Sequence, residues 1–493
     1  MRTKELSYWI TDKYIYLMLL VYPLFIGFWG YTRLTASKFV FFSALTLIWF
    51  LLLVADRIKT KPACSARPTL PQALMLLFFL SNCVSAVVSK NFVSSLLGEG
   101  RFDGLLTVFL YTVIFMGVST FGRPKRKYIR AIALSMTVCC GIAVLQFLGY
   151  NALWLYPHNY SYYDGGYKFS GEFLGTIGNA NLFSAYLCLC LPLFSAYYIT
   201  EEKVAIKLFL PLFVGTFCSF VCRVSAGKLA LFLTALLLTP LLITDGKRLR
   251  RGLDILAVIL LALCMAETFS AKHSYDFVSI SLVFTRRSAF FAAAAVIAAV
   301  LRLLLKNTVI AAKTLRRLFS MLSVLISVIL FVAIYNWQDS EGTIFELSRI
   351  MRGEIRDSFG SSRILIWRNT LSLVKDRLLF GGGPGTLRLI LDVNFSRFVE
   401  ETGKTLSASV DNAHNVYLGI LANSGLLSLL FYLSAMISGF IGALRSKRTF
   451  ALCLACSLMC CWIQDFFGLG LFIVSPLMFI FWGLIGGQRA ANH

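Results

Sequence analysis

Apolar runs long enough to cross a lipid bilayer as helices recur along the whole chain. Most are about 17 to 23 residues long, and because a helix rises about 1.5 Å per residue, each can traverse a hydrocarbon core about 30 Å thick. The fourteen runs lie near residues 14–33, 37–55, 70–89, 102–120, 129–149, 182–200, 204–221, 227–244, 253–269, 288–305, 318–337, 414–443, 450–467 and 470–487. This pattern predicts an all-α, polytopic transmembrane helix bundle of about 12–14 helices.

Composition agrees with this class, since 58% of the residues are hydrophobic and only 14% are charged. A chain of this kind is dissolved in lipid, and the apolar runs leave no room for a soluble catalytic domain. The longest stretch between runs covers residues 338–413. We therefore expect an N-terminal transmembrane bundle at 1–337, a large loop at 338–413 and C-terminal transmembrane helices at 414–493.

The formal net charge of +23 could indicate a nucleic-acid partner, but the basic residues alternate with the apolar runs and form no single patch. They gather in every second loop, at Arg57, Lys59, Lys61, Arg67, Arg123, Lys125, Arg126, Lys127, Arg130, Lys247, Arg248, Arg250, Arg251, Arg302, Lys306, Lys313, Arg316, Arg317, Arg445, Lys447 and Arg448. By the positive-inside rule these loops and both termini are cytoplasmic. The 338–413 loop is then extracytoplasmic, and no nucleic-acid partner is expected.

The 338–413 loop contains its own helical pattern. Apolar residues recur at helical spacing at Ile364, Trp367, Leu371, Val374 and Leu378, and Ser361 and Ser362 offer caps before them. Gly381-Gly382-Gly383-Pro384-Gly385 would end the helix, because glycine supplies left-handed caps and proline cannot continue the hydrogen-bond ladder. The pattern predicts a short amphipathic helix along the outer membrane surface, followed by a turn.

The polar run Asp411–Leu418 closes this loop just where a helix enters the bilayer. Its imidazole, His414, stands beside the amide of Asn415, and imidazole is the side chain that exchanges protons near neutral pH. At this depth it would meet lipid-borne substrate and water together. The alternative is an interfacial histidine without a chemical role.

Two stretches carry a family resemblance. SSRILIWRNTLSLVKDRLLFGGGPG, from residue 361, and DNAHNVYLGILANSGLLSLLFYL, from residue 411, resemble the signature region of the O-antigen ligase and polysaccharide polymerase superfamily of bacterial membrane glycosyltransferases. GEGRFDGLL at 98–106 and TIGNANLFSAYL at 176–187 are similar to earlier motifs of the same superfamily. The four stretches cover most of the chain at the level of motifs.

The resemblance implies transfer of a glycan from an undecaprenyl-pyrophosphate donor to an acceptor hydroxyl at the outer leaflet of the bacterial cytoplasmic membrane. It implies no nucleotide sugar, no metal and no cofactor. His414 would take or position the acceptor proton. Arg363 would bind the leaving pyrophosphate, since a guanidinium offers a fixed fork of donors that matches phosphate oxygens and stays charged.

The superfamily also places a basic residue in a Ser-Arg-Gly motif at the mouth of a transmembrane helix. This chain reads CRVSAGKLAL there, with Ala226 in the position of the arginine, so Arg223 or Lys228 would take that part. Both residues could instead only extend from helix ends to the headgroups.

Four further residues are candidates for substrate binding: Arg101, Asn179, Asn181 and Asn415. The simpler alternatives are a local ion pair between Arg101 and Asp103 and helix capping by the asparagines. Gln464 and Asp465 fall inside an apolar run, where polar groups are costly, so we expect them to face a cavity or partner groups within the bundle.

Polymerisation of surface polysaccharide repeat units for the cell envelope is the preferred activity, because GRFDG resembles a motif of polymerase-like members. The partners would be the lipid-linked donor, a glycan, lipid or protein acceptor, and a chain-length regulator. A ligase that transfers a finished glycan shares the same site. A flippase or other transporter for lipid-linked oligosaccharides is the alternative from another class, but the chain lacks the clear internal repeats that this class favours.

Overall fold

The computed structural model describes residues 2–60, 67–156, 163–164, 167–168, 174–201, 206–222, 224–273, 278–306, 310–339, 341–391, 393–399, 404–446 and 448–486. Helices make up most of the described residues, and strands occur there only as short two-stranded hairpins. The all-α prediction is therefore confirmed.

The helices follow the apolar runs of the sequence. They are α1 (Arg2–Leu20), α2 (Leu34–Thr60), α3 (Leu70–Val88), α4 (Phe92–Leu97), α5 (Leu105–Phe121), α6 (Arg126–Phe147), α7 (Ala180–Thr200), α8 (Phe209–Val221), α9 (Ser225–Leu242), α10 (Gly246–Thr268), α11 (Arg286–Leu304), α12 (Ala312–Tyr335), α13 (Thr343–Met351), α14 (Phe359–Val374), α15 (Leu387–Ile390), α16 (Val416–Arg445), α17 (Thr449–Asp465) and α18 (Ser475–Gly486). Three antiparallel hairpins join some of them: β1 (Tyr163–Asp164) with β2 (Tyr167–Lys168), β3 (Phe269–His273) with β4 (Val278–Leu282), and β5 (Asn394–Val399) with β6 (Lys404–Ser409).

Within the described ranges, eight helical stretches are long and apolar enough to cross a membrane, and four shorter apolar helices accompany them. The chain is thus a multi-pass membrane protein. The eight lie at Gly30–Thr60, Leu70–Val88, Arg126–Phe147, Ala180–Thr200, Ser225–Leu242, Arg286–Leu304, Ala312–Tyr335 and Val416–Arg445.

The first helix differs from its prediction. The apolar run at 14–33 predicted one span, whereas α1 ends at Leu20 and short 3-10 turns follow at Tyr22–Leu24 and Gly30–Arg33. Pro23 lacks an N–H, and Gly27 and Gly30 adopt positive φ angles of 76° and 52°, so the helix cannot continue. The run is apolar throughout, but its proline and its glycines with positive φ angles end the helix inside it.

Helix α7 forms the centre of the bundle, with 94% of its apolar window buried, whereas no residue in the corresponding window of α12 is buried. Helix α7 packs against α17, α9 and α8, and α5 packs against α18. The lipid-facing periphery therefore includes α12.

Helices α3 and α16 pack closely, and small polar side chains lie in the contact beside the rings of Phe78 and Tyr432. Ser81 and Ser428 share a hydrogen bond of 2.8 Å, and Ser424 donates to Asn82 Oδ1 at 2.6 Å. The hydroxyls of Ser81 and Ser428 also lie 2.8 Å from backbone carbonyls one turn away, at Phe78 O and Ser424 O. Buried polar groups in lipid must be paired in this way, so the contact fixes α16 against α3.

The predicted helix of the 338–413 loop is present as α14, with two differences. Ser361 and Ser362 do not cap it, because both have positive φ angles of 56° and 63° and no side chain caps its start. The face that packs into the protein is that of Ile366, Thr370 and Val374, which lies against α16. Leu371 on the predicted stripe is half exposed, so its contact with lipid stays a prediction.

Candidate active site

The glycine turn, residues 381–385, docks onto a break in helix α16. At Gly425 the backbone leaves the helix with φ 82° and ψ 177°. The N–H of Gly382 donates to Ala422 O at 2.9 Å, and the N–H of Gly383 donates to Asn423 O at 2.7 Å. On the other side of the break, the N–H of Leu426 donates to Leu378 O at 2.8 Å. The turn and Leu378 thus supply hydrogen-bond partners for backbone groups that the break leaves without helical partners. The break separates the first two turns of α16 from the rest of the helix.

The side chain of Asn423 strengthens the same junction. Its Oδ1 accepts hydrogen bonds from the N–H groups of Thr386 and Leu387 at 3.1 and 2.9 Å. Gly383 and Gly385 leave no space for a side chain, since an added Cβ would approach Ser89 and Asp103 to within 2.5 and 2.7 Å. The glycine turn is therefore wedged between α16 and the loop that follows α3, and it holds no phosphate-type motif.

His414 lies immediately before α16 in a left-handed conformation, with φ 49°. Its N–H donates to Asn412 Oδ1 at 2.8 Å, and Asn415 caps the helix by accepting from the N–H of Leu418 at 3.0 Å. Trp367 on α14 donates from Nε1 to Ala413 O at 3.0 Å. Three side chains thus hold the backbone around His414, and none of these hydrogen bonds uses the imidazole.

Arg101 reaches the same run from the loop before α5. It binds Asp411 through two parallel hydrogen bonds, of 2.7 Å from Nε and 2.8 Å from Nη2. The ion pair that Arg101 forms in the described structure is thus with Asp411. Burial raises the pKa of Asp103, and the charge of Arg101 opposes that rise. This pairing brings the GRFDG-like stretch and the polar run together, and Arg388 packs its guanidinium over the adjacent Gly100.

Arg363 supplies a second guanidinium near His414. It extends from the start of α14, where Nη1 donates to Gly360 O at 2.7 Å, while Nε is buried and has no hydrogen-bond partner among the described residues. Burial lowers the pKa of Arg363 and the charge of Glu346 raises it, but a guanidinium stays protonated at any working pH. A buried N–H of a cation is costly to leave without an acceptor, and anion binding by Arg363 stays a prediction.

The charges around His414 set its protonation state. Its pKa falls from the usual 6.5 to about 4, because the ring is buried and because Arg363 and Arg101 carry positive charge nearby, whereas Asp411 acts in the opposite direction. The imidazole is therefore neutral at physiological pH and can accept a proton.

A cavity of about 110 Å³ opens beside this run, between α3, α5, α16, α18 and the glycine turn. Asn412 and Asn415, on either side of His414, both line it. Asp103 and Asp465 also line it, so the expectation that Asp465 faces a cavity is confirmed. Asp103 is a functional candidate that could not be identified from the sequence, because there it was considered only as an ion-pair partner of its neighbour Arg101.

The remaining candidates lie on α7 and α9. Asn179 caps α7 by accepting from the N–H groups of Asn181 and Leu182 at 3.0 and 3.1 Å, and Asn181 accepts from Gln464 through its backbone oxygen at 3.4 Å. Lys228 on α9 holds its ammonium 4.8 Å from the ring centre of Phe220. Arg223 lies outside the described residues. Substrate contacts of these residues stay predictions.

A metal-binding group of three or more His, Cys, Asp or Glu side chains does not occur in the described part of the chain. The cysteines described there are free thiols, and Cys453 and Cys456 are both buried. The described surroundings of His414 thus contain cations and amide side chains but no cluster of metal-ligating side chains.

Comparison with known proteins gives one family. The model of the O-antigen ligase family matches residues 277–433, a region that contains Arg363, the glycine turn and His414. No curated protein matches the chain. The match supports a general role in glycan ligation or polymerisation by a glycosyl-transferring membrane enzyme. Residues 277–433 are thus similar to the O-antigen ligase family, and this match supports the resemblance to the O-antigen ligase and polysaccharide polymerase superfamily.

Proposed function

We propose that this protein transfers a glycan from an undecaprenyl-pyrophosphate donor to an acceptor hydroxyl, and that it thereby polymerises repeat units of a surface polysaccharide. The observation that carries the proposal is the environment of His414. A neutral imidazole stands near two guanidinium groups, Arg363 and Arg101, at the end of a transmembrane helix. This combination provides a proton acceptor and charge compensation for a leaving pyrophosphate.

In the proposed reaction, His414 accepts the proton of the acceptor hydroxyl as its oxygen bonds to the anomeric carbon of the donor sugar. The bond between that carbon and the pyrophosphate oxygen breaks, and the electron pair leaves with the pyrophosphate. Arg363 stabilises the departing charge through its unpartnered Nε, and Arg223 or Lys228 would supply a further cation. The energy comes from the donor linkage, so neither ATP nor a metal takes part.

Donor binding should also strengthen the base. Arg363 and Arg101 lower the pKa of His414, and the negative charge of a bound pyrophosphate would offset theirs. The imidazole would then accept a proton more readily when the donor is present than when the site is empty. This dependence would limit proton uptake by His414 to the occupied enzyme.

The proposed location is the bacterial cytoplasmic membrane, with both termini cytoplasmic and the 338–413 loop outside. The alternation of basic loops along the sequence supports this orientation. Residues 1–337 and 414–493 would serve as the two transmembrane parts that flank the catalytic loop. Flipped donor lipids reach a site on this side without crossing the bilayer again.

Polymerase is preferred over ligase because Arg101, within the GRFDG-like stretch, is joined directly to the polar run of His414. The stretch that resembles polymerase-like members is therefore part of the proposed site. A chain-length regulator would be a partner of a polymerase. A ligase would give one product of unchanged glycan length on a lipid or protein acceptor.

The test uses purified protein in lipid nanodiscs with lipid-linked repeat units and EDTA, and it follows product length. Wild type should form longer glycans without ATP or divalent ions. His414→Ala should lose transfer while retaining expression and thermal stability, because the hydrogen bonds that hold this run come from its backbone and from Trp367, Asn412 and Asn415. His273→Ala, on the β3 hairpin, is the matched control and should retain activity.

Each other outcome has a clear meaning. Normal product length and yield from His414→Ala would refute its catalytic role. Movement of glycan between leaflets without a new glycosidic bond would assign the chain to the transporters instead. A requirement for ATP or for a divalent ion would contradict the proposed energy source.

A further inference from the structure

The cavity beside His414 is large enough to admit part of a ligand. Its volume is about 110 Å³, well above the roughly 10–15 Å³ that one water molecule requires. One monosaccharide unit is a small polar group of the kind that such a space could take. Asn412 and Asn415, which flank the proposed base, both line the cavity.

Two carboxylates in the cavity wall have few partners. Oδ1 of Asp103 is buried without a hydrogen bond, although the charge of Arg101 acts on this carboxyl, and Asp465 is 7% exposed and receives no hydrogen bond from the described residues. Lysine, arginine and histidine are absent from the described lining. Buried carboxylates require donors, so an occupant of this cavity must present hydroxyl or N–H groups to them.

The remaining wall combines amides with aromatic rings. The Oδ1 atoms of Asn412 and Asn423 are used by the backbone, which leaves their Nδ2 groups to donate to a ligand. Phe78, Tyr111 and Phe479 supply ring surface. Hydroxyl donors and acceptors around an apolar ring face are the chemical pattern of a pyranose, and they do not match a phosphate.

We propose that this cavity binds the terminal sugar of the acceptor glycan and selects an uncharged sugar over a uronic acid. The inference rests on the proposed transfer function and identifies the acceptor class for the same site. Arg101 and Arg363 do not line the cavity, so the cationic region serves the donor pyrophosphate and the acidic cavity serves the acceptor. A carboxylate on the sugar would lose its hydration beside Asp103 and Asp465 without meeting a cation in the described lining, so it should bind more weakly.

The test measures sugar binding by saturation-transfer NMR to the full chain in nanodiscs, without donor. The probes are the methyl glycosides of glucose, galactose, rhamnose and N-acetylglucosamine, compared with those of glucuronic and galacturonic acid. At least one neutral glycoside should bind, and the acidic glycosides should bind about tenfold more weakly. Asp465→Asn should reduce this preference to about threefold or less, because the amide of asparagine can donate a hydrogen bond to a sugar carboxylate.

Asp103→Asn provides a second measurement at a site close to the glycine turn. It should raise the acceptor KM more than the donor KM, which a general loss of folding would not do. Glu354→Gln is the matched control, because this exposed carboxylate pairs with Arg349 away from the cavity. It should leave the sugar preference unchanged.

Three results would overturn the proposal: equal binding of acidic and neutral glycosides, no binding of any neutral glycoside, or a preference unchanged in both Asn variants. Loss of sugar binding on addition of EDTA would show that the carboxylates hold a metal ion instead. The transfer function is judged separately. His414→Ala should lose transfer but retain sugar binding. A failure of the sugar-binding proposal can therefore be told apart from a failure of the transfer proposal.

Discussion

Arg101 and Asp411 form a bidentate ion pair across 310 residues of sequence, with both hydrogen bonds shorter than 3 Å. The pair fastens the loop before α5 to the polar run that carries His414. Its two charges act on the imidazole in opposite directions, since Arg101 lowers the pKa of His414 and Asp411 raises it. The same contact therefore positions the run and adjusts its base.

Asp411→Asn should move the titration of His414 to lower pH. In the wild type the ring is neutral above a pKa of about 4 and becomes protonated below it, so transfer should fall as the pH drops through that value. Without Asp411 the charge of Arg101 is uncompensated, which favours the neutral ring further. The histidine resonances of the free enzyme and the acid limb of kcat/KM both report this pKa. An acid limb near pH 6.5 in the wild type would contradict the assigned environment.

Arg363→Lys should be nearly as inactive as Arg363→Ala. A lysine ammonium cannot reproduce both the bond to Gly360 O and a bond from Nε to phosphate, so the loss should reach about 10- to 100-fold in kcat/KM for the donor. Arg368→Lys is the control, because Arg368 lies on the same helix and forms an exposed pair with Asp357. Recovery of most activity by Arg363→Lys would disprove the role of the guanidinium fork.

Gly425→Ala should destabilise the protein through the break in α16. At φ 82° an L-residue is strained, at a cost of about 1–3 kcal/mol, and its Cβ would overlap the carbonyl group of Leu379. Gly419→Ala, two turns earlier in the same helix, meets nothing within 4 Å and should be neutral or slightly stabilising. Thermal unfolding of both variants in detergent provides the comparison. Equal stability of the two would show that the break is not needed.

Labelling of single cysteines should reveal the orientation of the chain. In a background without the thirteen native cysteines, Ser372→Cys on α14 should react with an impermeant maleimide in cells whose outer barrier has been removed. Thr314→Cys, at the start of α12, should react only after lysis. Both positions are exposed in the fold, so burial does not decide the result. Reversed labelling would invert the proposed topology.

The helices could be predicted from the sequence because each apolar run satisfies its own backbone as a helix in lipid, without reference to distant residues. The first run shows the limit of this argument. Its apolar character continues past Leu20, but Pro23 and glycines with positive φ angles end the helix. Hydropathy alone therefore does not show where this helix ends, whereas the backbone preferences of proline and glycine do. Patterns of hydropathy locate runs more reliably than they locate helix ends.

The site was predicted less completely, because its main contacts are non-local. His414 and Arg363 could be identified by their motifs, but the pairing of Arg101 with Asp411 could not, since Asp103 offered a nearer partner. Ser361 and Ser362 resemble helix caps by residue type, yet their positive φ angles exclude that role. Asp103 becomes a candidate only when folding places it in a cavity with Asp465.

The junction between the glycine turn and α16 depends on main-chain atoms and on one side chain, Asn423. Exposed side chains nearby, such as Leu378 and Leu389, take no part in those hydrogen bonds. Such positions are free to diverge without moving His414. A protein built in this way can acquire a new glycan preference by exchanging surface residues of its catalytic loop, and loop grafts between related enzymes should retain activity when the glycines and Asn423 are kept.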